Sequence, residues 1–454
     1  MTNSRAPADG ERPPLALPNR ELIERLGEIA NHLGTRSFLV GGPVRDLLFG
    51  RTKKGVPRRG TKTQRGSESE TLVTGSPGGE IPTSSGLQDI DVAVEEGCRE
   101  FGAAVAKEFG GRLVYHSRFL TGTVLFDRPQ ASSVKPQAVE HIDITQTRAE
   151  SYERPAVLPA VRPASIVGDL GRRDFTINAM ALEITPGAFG EFIDPFDGRA
   201  DLEHRRVRTL HARSFSDDPT RIFRCLRFAA RLGFKIEPQT ADLMRSAVEQ
   251  RLPAFLTPER LLYELRAICA EPLVLPIVKS VIRERLLEAA LRWTPPRGFV
   301  DGLERLVRNR LPPELLFIYW LSVLPVTERF PIRKEERDAA AAVAGFGKLR
   351  PWLRRKLKPS GVYRILRSVP EPALAVLAPL ETRPVSTSIS AFLDNYRRVG
   401  IAATGADLRA AGLKPGPAYR EILDQLLFAR LDGRIRSVTE ERALLQRLAH
   451  PKVG

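Results

Sequence analysis

Cysteine is scarce in this chain: 454 residues hold three, Cys98, Cys225 and Cys269. None is spaced as a metal knuckle, and three cannot all pair within one chain. A disulfide scaffold is therefore not expected. The expected role of the three is as small core residues in a reducing cytoplasm. Long apolar runs are also missing. The longest, Leu315–Val326, is interrupted by Ser322 and Pro325 and is too short to span a bilayer. The N-terminus has no apolar stretch of the kind that directs secretion, and residues 1–18, Pro-rich and polar, are expected to form a disordered leader. Histidines are few and scattered (32, 116, 141, 204, 211, 450), so no His-Asp cluster of the phosphohydrolase kind is apparent. No convincing internal repeat is present.

What is abundant is positive charge. The formal net charge is +16 and the pI is near 10.1. Apolar content of 42% and charged content of 27% are otherwise ordinary for a soluble globular protein. An excess of this size favours polyanions, nucleic acid first and an anionic membrane surface second. A generally Arg-rich proteome is the plainer explanation of charge alone. The length suggests about two to four domains with ample core.

Hydrophobic periodicity predicts a helix over Glu21–Leu33, stopped by Gly34, then a short strand Ser37–Val40, a Gly41-Gly42 turn and a helix from Val44. Thr52–Gln88 is rich in Gly, Ser, Thr, Pro and Lys/Arg, with seven basic residues and no acid in Arg51–Gly66. It reads as a mobile insertion, either a solvated loop or an RNA-contacting arm. Strands are expected at Asp89–Val94, Arg112–Tyr115, Gly122–Phe126 and His141–Thr145, with a helix at Arg99–Phe109 and a polar loop at Asp127–Gln137. This is an α+β pattern: a small mixed sheet covered by helices. After about Asp174 the pattern becomes helix after helix, including Ile222–Leu232, Thr240–Arg251, Pro258–Ala270 and Leu273–Ala290. Helical character continues to the C-terminus.

Four constellations carry chemistry. Asp89 and Asp91 are two apart on a strand and project to one face, with Ile90 behind them. Two convergent carboxylates favour a hard cation between them, and Mg²⁺ is the natural candidate. Asp143 alternates with Ile142 and Ile144 and could complete the cage from a neighbouring strand. The alternative is a solvated strand face. In the second, Gly41 and Gly42 permit close approach of backbone to phosphate, and Arg45 can fork onto phosphate oxygens. The alternative is a tight turn with an Arg45–Asp46 surface pair. In the third, Arg172–Ala181, an amphipathic helix would place Asp174 and Asn178 on one face, with Arg173 free to hold triphosphate and Phe175, Ile177 and Met180 in the core. In the fourth, Asp218 and Arg221 are three apart. Together they match an acceptor–donor base edge. Spacing alone favours the simpler reading, an N-cap with an intrahelical ion pair.

In this order the motifs resemble those of the class II tRNA nucleotidyltransferases (CCA-adding enzymes) and bacterial poly(A) polymerases. FLVGGPVRDLLFGR and DIDVAVE look like the catalytic motif, and RRDFTINAMAL like the ribose- and phosphate-binding motif. DPFDGRADLEHRRVRTL (Asp194–Leu210) resembles the hinge, and DDPTRIFRCLRFAARLGF the nucleotide-selecting helix. Gly405–Gly433, with its turn Gly412–Pro417, is similar to family C-termini. The resemblance implies a seahorse-like arrangement of a nucleotidyltransferase head (19–182, with the insertion 52–88) and helical neck (183–270), body (271–370) and tail (371–454). It implies Asp89 and Asp91 as ligands of Mg²⁺ with Asp143 beside them as the third catalytic carboxylate. It implies Gly41, Gly42 and Arg45 near triphosphate, and Arg173, Asp174 and Asn178 near ribose and phosphate. Asp218 and Arg221 would pair with the incoming base, supported by Arg224. The family's base-selecting motif usually begins Glu-Asp; here it is Asp217-Asp218, one side chain shorter at the orienting position.

The function this implies is template-independent addition of CMP and AMP from CTP and ATP to the tRNA 3′ end, with body and tail holding the acceptor arm. Enzymes adding only CC, only A, or poly(A) share these motifs. A non-catalytic RNA-binding protein on the same scaffold is a further alternative, against which the intact carboxylates argue.

Overall fold

The computed structural model describes residues 19–54, 90–126, 139, 141–325 and 330–450. The expected leader 1–18, most of the insertion, the polar loop at 127–137 and Asp89 lie outside the described residues. The chain divides into two compact units between Phe255 and Leu256.

The first unit is built on a seven-stranded sheet. Its elements run α1 (Arg20–His32), β1 (Ser37–Val40), α2 (Gly42–Lys54), β2 (Ile90–Val94), α3 (Cys98–Phe109), β3 (Gly111–His116), β4 (Thr121–Phe126) and β5 (His141–Gln146). A two-stranded ribbon, β6 (Arg148–Ser151) and β7 (Ala160–Pro163), and α4 (Ile166–Gly171) follow, then β8 (Ala181–Glu183) and β9 (Phe192–Ile193). The strand order is β3-β4-β5-β2-β1-β8-β9. Within this sheet β2 and β5 pair in parallel and the other neighbours are antiparallel.

Alternation along the strands decides the faces. Leu39, Ile90, Val92, Val94, Ile142, Ile144 and Leu182 pack with the apolar stripes of α1 and α3 into one core. Phe38, Val40, Ala93 and Ala181 point the other way and pack with Ile166 and Leu170 of α4. Asp91 and Asp143 occupy this second face, because each is one residue out of phase with its buried aliphatic neighbours.

Several expectations need correction. The stretch Arg172–Ala181 is not an α-helix. Phe175 is extended, bridging Thr209, and Thr176–Asn178 is a single 3₁₀ turn that leads into β8. Pairing of β8 with β1 satisfies its backbone in the sheet and overrides the helical spacing. The head sheet thus runs past the expected boundary at 182. Short strands also continue after Asp174: besides β8 and β9, β10 (Arg206–Val207) pairs β11 (Lys235–Ile236) in parallel. Thr52–Lys54, assigned to the insertion, ends helix α2.

The remainder of the first unit holds α5 (Gly198–Glu203), α6 (Ser214–Asp217), α7 (Thr220–Leu232) and α8 (Pro238–Glu249). The second unit is helical among its described residues. It begins with α9 (Pro258–Cys269), which the expected boundaries assigned to the neck, and continues through α10 (Val274–Arg283) and α11 (Leu286–Leu291). The last two were expected as one helix; Arg285, at φ 55°, breaks it. Then come α12 (Phe299–Arg308), α13 (Pro313–Leu321), α14 (Lys334–Gly345), α15 (Arg350–Leu353), α16 (Pro359–Leu366), α17 (Glu371–Leu380) and α18 (Val385–Asp394). The chain closes with α19 (Gly405–Ala410), α20 (Pro417–Leu431) and α21 (Val438–Ala449). Phe346, Leu353, Leu366, Leu374 and Ile389 form one core of this unit, and Leu408, Leu426 and Leu445 another. The fold class is the expected one: a mixed-sheet head with helices, followed by helical architecture. No helix among the described residues is long and apolar enough to cross a membrane.

Candidate active site

Asp91 on β2 and Asp143 on β5 stand directly opposite each other in the parallel ladder. Their carboxylates therefore share one face at neighbouring positions. Ile90, Val92, Ile142 and Ile144, at most 1% exposed, hold both strands from behind. Asp143 Oδ1 accepts a hydrogen bond from Thr123 Oγ1 on β4 at 2.6 Å. Its Oδ2 lies 3.7 Å from His141 Nε2, and the side chain is 50% exposed. Two hard-oxygen donors side by side, one facing solvent, fit a divalent cation. No group of three His, Cys, Asp or Glu side chains forms such a site among the described residues. Asp89, expected with Asp91 as a ligand of the ion, is not among them.

The Gly41 turn comes close to this pair. Gly41 has φ +72°. A Cβ there would sit 2.9 Å from Arg173 Nη1 and 3.8 Å from Asp91 Oδ2. A side chain would displace the end of the guanidinium, and the left-handed backbone itself favours glycine. The turn, Arg173 and Asp91 are so brought to one spot at the start of α2, where first-turn N–H groups lack intrahelical partners.

A polar chain leads away from the turn. Arg45 is 5% exposed, so its pair with Asp46 (2.7 Å) is not the surface pair considered above. Arg45 Nη1 donates to Asn178 Oδ1 at 2.8 Å, and Asn178 Nδ2 donates to Asp174 Oδ1 at 2.9 Å. The Phe175 N–H also donates to Asp174 Oδ1, at 2.9 Å. Arg224 on α7 holds the other oxygen through Nε, at 2.7 Å. Asp174 and Asn178 thus meet as expected, but through a 3₁₀ turn. Burial alone would raise the Asp174 carboxyl. The Arg224 charge, with hydrogen bonds from Asn178 and Arg224, outweighs it and holds the group below the usual carboxylate range. The guanidiniums of Arg45, Arg224 and Arg231 lie 5.3, 5.4 and 5.4 Å from the centre of the Phe228 ring.

A second chain begins at Asp169 on α4, which is fully buried. Its Oδ2 accepts from Arg173 Nη2 at 2.9 Å, and its Oδ1 from Arg172 Nη2 at 2.7 Å. Burial raises the Asp169 carboxyl, but the charges of Arg173 and Arg172 prevail and keep it ionised. Arg172 also donates to Glu150 Oε1 on β6, at 2.9 Å. The Arg172 carbonyl accepts from Arg221 Nη2 at 2.6 Å, and Arg221 Nη1 reaches Ser214 Oγ at 3.0 Å. Arg221 is buried, while Asp218 Oδ1 accepts from the Thr220 N–H (2.9 Å) and hydroxyl (2.6 Å). Both bonds tie Asp218 to the first residue of α7.

Sequence reasoning missed Asp169, Glu150, Thr123 and Asp201. Asp201 Oδ2 accepts from Thr176 Oγ1 at 2.7 Å and from Arg208 Nε at 2.6 Å, fixing the turn that carries Asn178. The signal for Asp169 was its spacing, three and four residues ahead of Arg172 and Arg173 on a helix. Thr123 lies 20 residues from Asp143, Glu150 lies 22 from Arg172, and Asp201 lies 25 from Thr176. All three cysteines are free and buried; burial pushes Cys98 up to about 11 and Cys269 up to about 12, so they are inert core residues as expected.

A mixed-sheet head with paired strand carboxylates, a glycine turn at a helix start and buried arginines defines a nucleotidyltransferase. Comparison with known proteins agrees. Residues 37–208 match the poly A polymerase head domain family. The chain is 30% identical over 414 residues to an A-adding tRNA nucleotidyltransferase of Halalkalibacterium halodurans, covering 89% of this chain and 86% of that protein. It is also 30% identical to an A-adding enzyme of Geobacter sulfurreducens, but spans only 48% of that protein's length. A CC-adding tRNA nucleotidyltransferase of Deinococcus radiodurans is 27% identical, with 94% of both chains covered. Among solved structures, an apo form of a CCA-adding enzyme superposes with TM-score 0.70 at 27% identity, over 93% of this chain and 94% of that one. A CCA-adding enzyme in complex with CTP gives TM-score 0.67 at 25% identity, over 94% of each. The chain belongs to the class II tRNA nucleotidyltransferase and poly(A) polymerase family.

Proposed function

We propose that this protein adds CMP and AMP to the 3′ end of tRNA, completing CCA from CTP and ATP. The observation that carries the reading is the Asp91–Asp143 pair facing the Gly41 turn and Arg173. It supports in-line attack of the RNA 3′-hydroxyl on the α-phosphate, with pyrophosphate leaving. The α2 N-terminus at Gly41-Gly42 and the Arg173 guanidinium would receive the triphosphate. Asn178 and Asp174, locked by Arg45 and Arg224, would hold the ribose end. Arg221 would present donors to the base once released from Ser214, with Asp218 as the paired acceptor and Arg224 in support. A divalent ion, Mg²⁺ by preference for hard oxygen, would be held by Asp91 and Asp143 with Asp89, and would offset phosphate charge and acidify the 3′-hydroxyl. The body and tail would grip the acceptor arm through shape and phosphates. Three buried free thiols support a cytoplasmic setting.

A second reading is addition of the terminal A alone, favoured by the names of the two relatives that match at 30% identity. The test is incubation with tRNA lacking its last three nucleotides, and with tRNA ending in CC, supplying CTP, ATP or both. Full CCA on the first substrate with both nucleotides supports the main reading. Addition only to tRNA ending in CC, from ATP alone, replaces it with the second. Long A tails would indicate a poly(A) polymerase.

A further inference from the structure

The second unit exposes a surface that the head chemistry does not use. Between Phe346 and Lys358 the sequence holds six Lys or Arg and no acid. Here the chain makes a 3₁₀ turn, the short helix α15 and a loop. Phe346 and Leu353, 1% and 0% exposed, anchor the segment in the core. Their neighbours point outward: Lys348, Trp352, Arg354, Arg355, Lys356 and Lys358 are all exposed. Arg350 is already bound to Glu381 at 2.7 Å and is not counted.

Trp352 is 54% exposed. Arg355 lies over its ring, 4.7 Å from Cζ to the centroid. An indole left largely in water contributes little to folding, and tryptophan is enriched where an apolar face meets a partner. The stacked guanidinium places positive charge directly against the ring. A flat π-face in a cluster of exposed cations suits a nucleobase with phosphates on either side. An acidic protein would use the cations but not the ring. A lipid surface would favour several apolar side chains, and Trp352 is the sole large exposed hydrophobic in this segment.

We propose that Trp352 and the surrounding Lys348, Arg354, Arg355, Lys356 and Lys358 form an RNA anchor, in which an unpaired base stacks on the indole and its flanking phosphates lie on the cations. The anchor works through binding alone and does not depend on which nucleotides the head adds.

The test uses the full chain and two RNA probes: a single-stranded oligonucleotide and tRNA. In the unmodified protein, RNA should quench tryptophan emission. In W352F the quenching should fall sharply while binding to both probes weakens by several-fold. Neutralising Arg354, Arg355 and Lys356 to Gln should lower the slope of log affinity against log salt by about 2, because each single-strand phosphate contact contributes about 0.7. Circular dichroism of each variant checks folding. Unchanged quenching in W352F, or an unchanged salt slope in the triple variant, overturns the anchor. Binding to anionic vesicles at the same salt, lost in the triple variant with RNA affinity intact, overturns it in favour of a membrane surface.

Discussion

Asp91 and Asp143 show how one residue's phase along a strand becomes chemistry. Each alternates with aliphatic side chains that must be buried, so each carboxylate is forced to the other face, and register puts the two side by side. Asp91→Ala should lower nucleotide incorporation on the order of 100-fold or more while tRNA affinity changes little. Incorporation within a few-fold of the unmodified enzyme would remove Asp91 from the metal site. Asp169 acts differently: it touches no expected substrate position but holds Arg173 and Arg172 from a fully buried site. Asp169→Asn leaves two arginines without their carboxylate. It should cost about 3 kcal/mol in urea unfolding. Where the variant remains folded, its KM for nucleotide should rise more than its kcat falls. A KM matching the unmodified enzyme would show that Arg173 keeps its place without Asp169.

At the scale of elements, the segment from Arg172 to Glu183 teaches most. Its hydrophobic spacing reads as a helix, yet pairing with β1 pulls its end into the sheet and leaves one 3₁₀ turn. The i to i+4 meeting of Asp174 and Asn178 survives because a tight turn brings the same atoms together. That turn is pressed from outside by α5. At Gly198 an added Cβ would lie 2.2 Å from the Thr176 carbonyl oxygen, closer than any real contact. Gly198→Ala must therefore shift either the helix or the turn that carries Asn178. Loss of a few °C in melting temperature is expected, together with weakened nucleotide binding by calorimetry. A stable variant with full nucleotide affinity would show that α5 can move away without disturbing the turn.

For the molecule as a whole, the two units carry different electrostatic loads. In the head, Asp169 and Asp174 stay charged inside a basic surround. In the second unit, hydrogen bonds from Arg266 and Arg333 lower Glu336 from 4.5 to about 2. A carboxyl whose folded value is depressed contributes stability that is complete above its unfolded value and is lost as pH falls through the folded one. Stability to urea should thus decline from about pH 5 towards about pH 2. Glu336→Gln should be less stable at neutral pH and should show a shallower decline. An equal slope in both proteins would mean that Glu336 is not held by its arginines. The +16 net charge adds to the acid sensitivity, since protonating carboxylates only increases self-repulsion.

Most element positions in the first half of the head, the alternation that sends Asp91 and Asp143 away from the core, and the order of motifs that marks the family are legible along the chain. These are local properties, written in periods of two and near four residues. Which side chains meet is settled by the three-dimensional fold. Arg45 reaches Asn178 across 133 positions, and Arg224 reaches Asp174 across 50. It also decided that Arg172–Ala181 is no helix and that Arg45 is buried. The physical reason is that sheet register and the packing of both its faces set these partners. Those terms depend on residues far apart in the chain, and no local period records them.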